Sequence, residues 1–207
     1  SLVRWFGESE KLQEKSNLFI VAGKINALES NDKEEIDEIN YMWHLIEKHN
    51  LHNKIRWIGK LFRKNEAGEL YRVIAEKKGI FVQPGLFEGF GLTVLEAMIS
   101  GIPVIATKYG GPLEIIQHNV NGFRIDPINN EESKKLLLEI VSKFEEDPNY
   151  WDEISRNGIK RVNEDYNWKL YSNKLLTLSK IYGFWKYLTD LDMKDMEAYL
   201  DIVFHSL

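Results

Sequence analysis

Two carboxylates and two glycines in one short stretch have the chemistry to hold a phosphorylated sugar. Gln83-Pro84-Gly85-Leu86-Phe87-Glu88-Gly89-Phe90-Gly91-Leu92-Thr93-Val94-Leu95-Glu96 reads as a strand end, a glycine-interrupted loop and the opening of a helix. In an open parallel sheet, ligands bind beyond the carboxyl ends of the strands. Gly89 and Gly91 would let the backbone come close to such a ligand. The first amides of the helix lack intrahelical acceptors and sit at its positive end, a seat for phosphate. Thr93 adds a hydroxyl in the first turn. Glu88 in the loop and Glu96 on the helix flank that seat from opposite sides. Carboxylates accept hydrogen bonds from hydroxyls, and a ribose or hexose offers hydroxyls in pairs. A phosphate between two sugars is the layout of a nucleotide sugar. The competing reading is a helix-start carboxylate beside a solvent-facing one.

Such a loop needs a sheet behind it. Apolar runs at 18–22, 55–58, 80–83, 103–107 and 122–125 read as five strands, continuous in hydrophobicity as buried parallel strands are. Between them, 32–49, 69–77, 92–100 and 112–118 read as helices. Ile36, Ile39, Trp43 and Ile46 recur at helical spacing in the first of these. The alternation predicts an α/β fold, a Rossmann-like parallel sheet flanked by helices. Behind it, 131–146, 150–165, 168–187 and 192–204 read only as helices. No Gly-, Ser- or Pro-rich linker intervenes, so the expected organisation is one domain over 1–166 and a helical tail over 167–207.

Composition narrows the function. Of 207 residues, 43% are hydrophobic and 29% charged, which is ordinary for a globular chain. Lys+Arg number 27 against 32 Asp+Glu, a net charge of -5 that argues against a dedicated nucleic-acid binder. Cysteine is absent, which excludes disulfides, thiolate metal sites and a Cys nucleophile. No apolar run approaches the roughly 20 residues that span a bilayer, and a cytoplasmic location is expected. Lys24 after Gly23 lacks the rest of a P-loop. Gly23 stays a candidate at the end of the first strand. His44, His49 and His52 are not at ligand spacing and read as surface residues without a metal. His118 to Gly122 reads as a turn. Gly110 and Gly111 open another strand-to-helix joint and are candidates for the same crevice. Trp168, Tyr171, Leu175, Leu178, Tyr182 and Trp185 recur at helical spacing, the mark of a core or interface face.

The chain resembles the retaining GT-B glycosyltransferases of family 4, and within them the sucrose synthases. The E-x7-E signature of that family is Glu88 to Glu96. Phe81-Val82-Gln83-Pro84, Phe90-Gly91-Leu92-Thr93-Val94, Glu96-Ala97-Met98 and Gly110-Gly111-Pro112 carry the likeness. So do Glu114-Ile115-Ile116, Asn121-Gly122-Phe123 and Ile125-Asp126-Pro127. Leu175-Leu176-Thr177-Leu178 and Tyr182-Gly183-Phe184-Trp185-Lys186 extend it into the tail, where the related sucrose-phosphate synthases usually lack it.

The resemblance implies the donor-binding half of an enzyme that reversibly converts sucrose and a nucleoside diphosphate into NDP-glucose and fructose. By the family pattern Glu88, in the catalytic role, meets glucose hydroxyls. Phe90, Gly91 and Leu92 offer backbone amides to glucose and phosphate. Thr93 meets the diphosphate and Glu96 the ribose. No cofactor or metal is implied; UDP or ADP is a substrate. UDP-glucose or ADP-glucose, and sucrose or fructose, are the implied ligands, and a homotetramer is the family's assembly. An Arg and a Lys on the diphosphate lie upstream of Ser1 in the family, as does the acceptor half. The chain therefore reads as a piece of a longer protein, inactive alone. With the first domain absent, part of the tail's stripe is expected to be exposed and to drive self-association. Positions 61 and 67, where sucrose synthases carry a Gln and an Asn for uracil, hold Leu61 and Ala67. Lys60, Arg63, Lys64 and Asn65 are the neighbours available to compensate, or backbone amides serve the base. The nucleotide is left open. So are two other readings: another family 4 transferase such as a sucrose-phosphate synthase, and a non-catalytic nucleotide-binding module.

Overall fold

The structure is a computed structural model that describes residues 2–60 and 62–205, the side chains of 64, 190–192, 194 and 198–205 excepted. Five parallel strands form: β1 (Leu18–Val21), β2 (Ile55–Ile58), β3 (Phe81–Gln83), β4 (Val104–Thr107) and β5 (Phe123–Ile125). The expected single sheet is two ladders, β1-β2 and β3-β4-β5. Ile105 in β4 faces Val82 on one side and Phe123 on the other. All four residues of β4 are buried, as befits a central strand covered on both faces.

Helices alternate with these strands. They are α1 (Leu2–Gly7), α2 (Glu10–Lys15), α3 (Lys33–Lys48), α4 (Lys64–Glu76), α5 (Leu92–Ile99), α6 (Pro112–Ile115), α7 (Asn130–Glu146), α8 (Pro148–Asp165) and α9 (Trp168–His205). Asp32 caps α3 by accepting from the Glu34 and Glu35 amides. Trp5, Leu12, Leu51, Ile105, Phe123 and Ile154 belong to one core cluster. Each fully buried side chain of this size contributes roughly 1.5–3 kcal/mol. Trp5 is held in it by donating to Asn130 Oδ1 at 2.9 Å, and Trp151 by donating to the Gly79 carbonyl at 3.0 Å.

The structure corrects four further sequence expectations. Helices α1 and α2 have no counterpart in the sequence reading; their apolar residues bury through tertiary contacts rather than through a long periodic face. Helix α4 begins at Lys64 rather than at 69, because Glu66 reaches back to accept the Arg63 amide at 2.9 Å. Helix α6 ends at Ile115 rather than at 118, since Asn121 Oδ1 takes the Gln117 amide at 2.8 Å. The two helices expected over 168–187 and 192–204 are the single α9.

The chain divides into two compact units, Ser1–Val162 and Asn163–Leu207. The first holds both ladders. The second is mainly α9, whose Trp168 is 83% exposed. Tyr171, Leu175, Leu178, Tyr182 and Trp185 are exposed too. No helix among the described residues is long and apolar enough to cross a membrane.

Candidate functional site

The loop from β3 to α5 is organised by its own carboxylate. Glu88 Oε1 accepts the Gly91 amide at 3.0 Å and the Phe90 amide at 3.3 Å. Glu88 Oε2 accepts from Gln83 Nε2 at 2.7 Å. Gly91 caps α5 at φ 92°, left-handed backbone that an L side chain rarely adopts. A side chain on Gly89 would meet nothing within 4 Å, so this glycine faces open space. Phe90, Leu92, Thr93 and Glu96 are all exposed. Two of the three amides expected to serve a ligand, those of Phe90 and Gly91, are thus donated to Glu88. Leu92 and Thr93 open the helix, where amides have no intrahelical acceptor.

A second loop, from β4 to α6, is laced to the first. Glu88 donates its amide to the Tyr109 carbonyl at 3.2 Å, and the Gly111 amide donates to the Glu88 carbonyl at 2.8 Å. The approach is so close that a Cβ on Gly110 would lie 2.0 Å from the Glu88 oxygen, and one on Gly111 2.0 Å from the Phe90 oxygen. Gly110 also has φ 92°. These glycines hold the loops together. The second loop is fastened in turn by Asp126, which pairs with Lys108 at 2.8 Å and accepts from the Tyr109 hydroxyl at 3.3 Å. Lys108 holds the Asp126 carboxyl below the usual carboxylate range.

Glu96 has a neighbour that the sequence does not announce. Tyr71, from α4, has its phenol pushed up to about 12, first by burial and then by the Glu96 carboxylate beside it. The Tyr71 ring stands edge-on to Phe81 at 6.2 Å. Gln83 and Tyr71, like Lys108 and Tyr109, are residues of this region to which the sequence analysis gave no role. Gln83 carried a weak signal, a polar side chain closing an apolar strand. Tyr71 carried none, since its helix meets Glu96 only in the fold.

Gly23 follows β1 with φ 56°, and no described hydrogen bond joins it to the Glu88 loop. Its neighbour Lys24 is paired with Glu35 at 3.2 Å. Leu61 lies outside the described residues, as does the Lys64 side chain. Ala67 is a half-buried residue of α4. Exposed Lys60 pairs with half-buried Glu66 at 3.1 Å, while Arg63 and Asn65 are exposed. His44 is exposed, and His52 pairs with Glu47 at 3.0 Å. His49 is not a plain surface residue: its ring packs where a Cβ on Gly7 would lie, at 2.8 Å, and its Nε2 is buried without a partner. Helix α1, unseen in the sequence, is what covers it. No group of three or more His, Asp or Glu among the described residues is placed to hold a metal ion.

The family described as Glycosyl transferases group 1 matches residues 2–161. A sucrose synthase of Melioribacter roseus is 61% identical over 206 residues, all of this chain and 26% of that protein. One from Thermosynechococcus vestitus is 49% identical over 206 residues, again 100% of this chain and 26% of its own length. The chain therefore spans about a quarter of the relatives it matches. Among solved structures, Anabaena HepE in complex with UDP and glucose has a TM-score of 0.61 at 20% identity. It covers 84% of this chain and 50% of its own. A sucrose-phosphate synthase from Thermosynechococcus elongatus has a TM-score of 0.61 at 20% identity, over 87% of this chain and 48% of its own. At such identity the likeness is one of fold.

Proposed function

This chain belongs to the group 1 glycosyl transferases, and from that premise we propose that it is the nucleotide-sugar donor half of a sucrose synthase. The observation that carries the reading is the amino end of α5, where Leu92 and Thr93 amides open beside the Glu88 carboxylate. The high identity to sucrose synthases over the whole chain supports it. In the proposed reaction the bond from glucose C1 to the fructose oxygen breaks and one from C1 to a diphosphate oxygen forms. The fructose oxygen gains the proton that the diphosphate oxygen gives up. The helix amides and Thr93 hold the phosphate, with charge-assisted hydrogen bonds worth most where water is excluded. Glu88 takes a glucose hydroxyl and Glu96 the ribose, with Tyr71 as its protein neighbour. Phe90 and Gly91 then serve the sugar through Glu88, which they hold, rather than by direct donation. Gly23 would close the same crevice from β1. No metal or cofactor is required in this scheme.

UDP-glucose or ADP-glucose is the proposed donor, with sucrose and fructose as acceptor-side ligands in a cytoplasmic homotetramer. The exposed apolar side chains of α9 favour association, which light scattering of the chain would register as a mass above the monomer. Calorimetric titration with UDP-glucose, UDP, ADP and GDP tests the donor reading. Saturable heat with a nucleotide sugar is expected, and silence to all four overturns it. A second reading, donor binding in another transferase such as a sucrose-phosphate synthase, is favoured by the fold likeness to that enzyme. Release of fructose from sucrose by the longer protein separates the two.

A further inference from the structure

We infer that Gln83 is a positioning residue of this site: it aims the Glu88 carboxylate at one sugar hydroxyl and turns the Thr93 hydroxyl proton outward to a phosphate oxygen. The inference rests on the donor-site reading above and adds a residue to it. Gln83 is the last residue of β3. Its Nε2 lies 2.7 Å from Glu88 Oε2 and 3.4 Å from Thr93 Oγ1. Its Oε1 is buried with no partner. A buried carbonyl without a donor is costly, so this orientation must be imposed. The imposing group is Glu88, both of whose oxygens accept hydrogen bonds. Turning the amide over would set a carbonyl against a carboxylate.

Two consequences follow from counting donors and acceptors. Glu88 has about four lone-pair sites. Three are filled, by the Phe90 and Gly91 amides and by Gln83. That leaves one, on Oε2, for one incoming hydroxyl. Thr93, in accepting from Gln83, keeps its own proton for another acceptor. It stands in the first turn of α5, where an anion would sit. One amide thus sets the polarity of both ends of the site. Glu88 is the titratable group that Gln83 touches among the described contacts.

The test compares Q83L and Q83E with the unaltered chain, titrated with UDP-glucose and with UDP from pH 5 to pH 8. Thermal unfolding accompanies each variant. Q83L is expected to weaken UDP-glucose about tenfold, the scale of a lost hydrogen bond to a charged group, and UDP less. Q83E keeps the shape and serves if Q83L fails to fold. At neutral pH it sets two carboxylates together and should lose UDP-glucose. As pH falls, a protonated Glu in that place can again donate to Glu88, and binding should return. A merely structural role would weaken both ligands equally with no recovery at low pH; that result, or unaltered binding, overturns the inference alone. An unaltered chain that binds neither ligand overturns the donor-site reading and this inference with it.

Discussion

Helices α5 and α9 are both rich in apolar side chains and spend them in opposite ways. In α5, eight residues long, Val94, Ala97 and Met98 are 0% exposed. In α9, 38 residues long, large apolar side chains from Trp168 to Met196 face outward. The difference lies in what surrounds each helix. Helix α5 follows directly on β3 and lies against the β3-β4-β5 ladder, so its apolar face is consumed by the first unit. The second unit holds no strand among its described residues against which α9 could lay an apolar face. Apolar content alone does not mark a core; the company a helix keeps decides whether its side chains act as ballast or remain available.

Substitutions in the two regions should therefore separate sharply. The largest effect is expected for Gly110→Ala, which combines a Cβ 2.0 Å from the Glu88 oxygen with φ 92°. Denaturant titration should show a loss of roughly 3 kcal/mol or more, or a displaced loop that no longer binds nucleotide sugar. Next is Met98→Ala, expected to cost about 2–5 kcal/mol through the cavity it leaves. Leu176→Ala in α9, at 59% exposure, should stay within about 0.5 kcal/mol. A cost for Leu176→Ala as large as that for Met98→Ala would erase the distinction between the helices. Gly183→Ala reverses the sign of the first prediction. A Cβ there meets nothing within 4 Å, so helix propensity should add about 1 kcal/mol to α9, read as increased helicity on heating.

The last expected effect is a titration. Because the Tyr71 phenol is raised to about 12, its contribution to stability is complete below pH 10. It is lost as pH rises from there towards 12, since the unfolded phenol ionises first. Nuclear magnetic resonance of ring-labelled tyrosine should place the Tyr71 titration above the ordinary phenol value of 10. Glu96→Gln should bring it down only in part, as burial is the larger cause.

The parallel α/β pattern was legible because buried strands are short, apolar and punctuated, as at 18–22 and 103–107. The start of α5 was legible for a like reason: Gly91 stands where a side chain would not fit the backbone. Other features left no such mark. Helices α1 and α2 are six residues each, too short for a periodic face, and only contacts distant in sequence reveal them. The continuity of α9 was hidden by the interruption at Thr189 and Asp190, between the two helices expected from the sequence. The occupation of the Phe90 and Gly91 amides by Glu88 was hidden too. A glutamate that caps its own loop and one that faces solvent are written with the same letter. Tyr71 beside Glu96 is a meeting of two helices, which no local pattern encodes.

The shared backbone hydrogen bonds between Glu88, Tyr109 and Gly111 make the two strand-end loops a single mechanical part. Neither can shift without dragging the other, and Asp126 anchors the pair to the end of β5. Anyone wishing to graft a different donor preference onto this scaffold should transplant both loops as a cassette. A loop of 84–91 brought in alone would arrive without the socket that gives it shape.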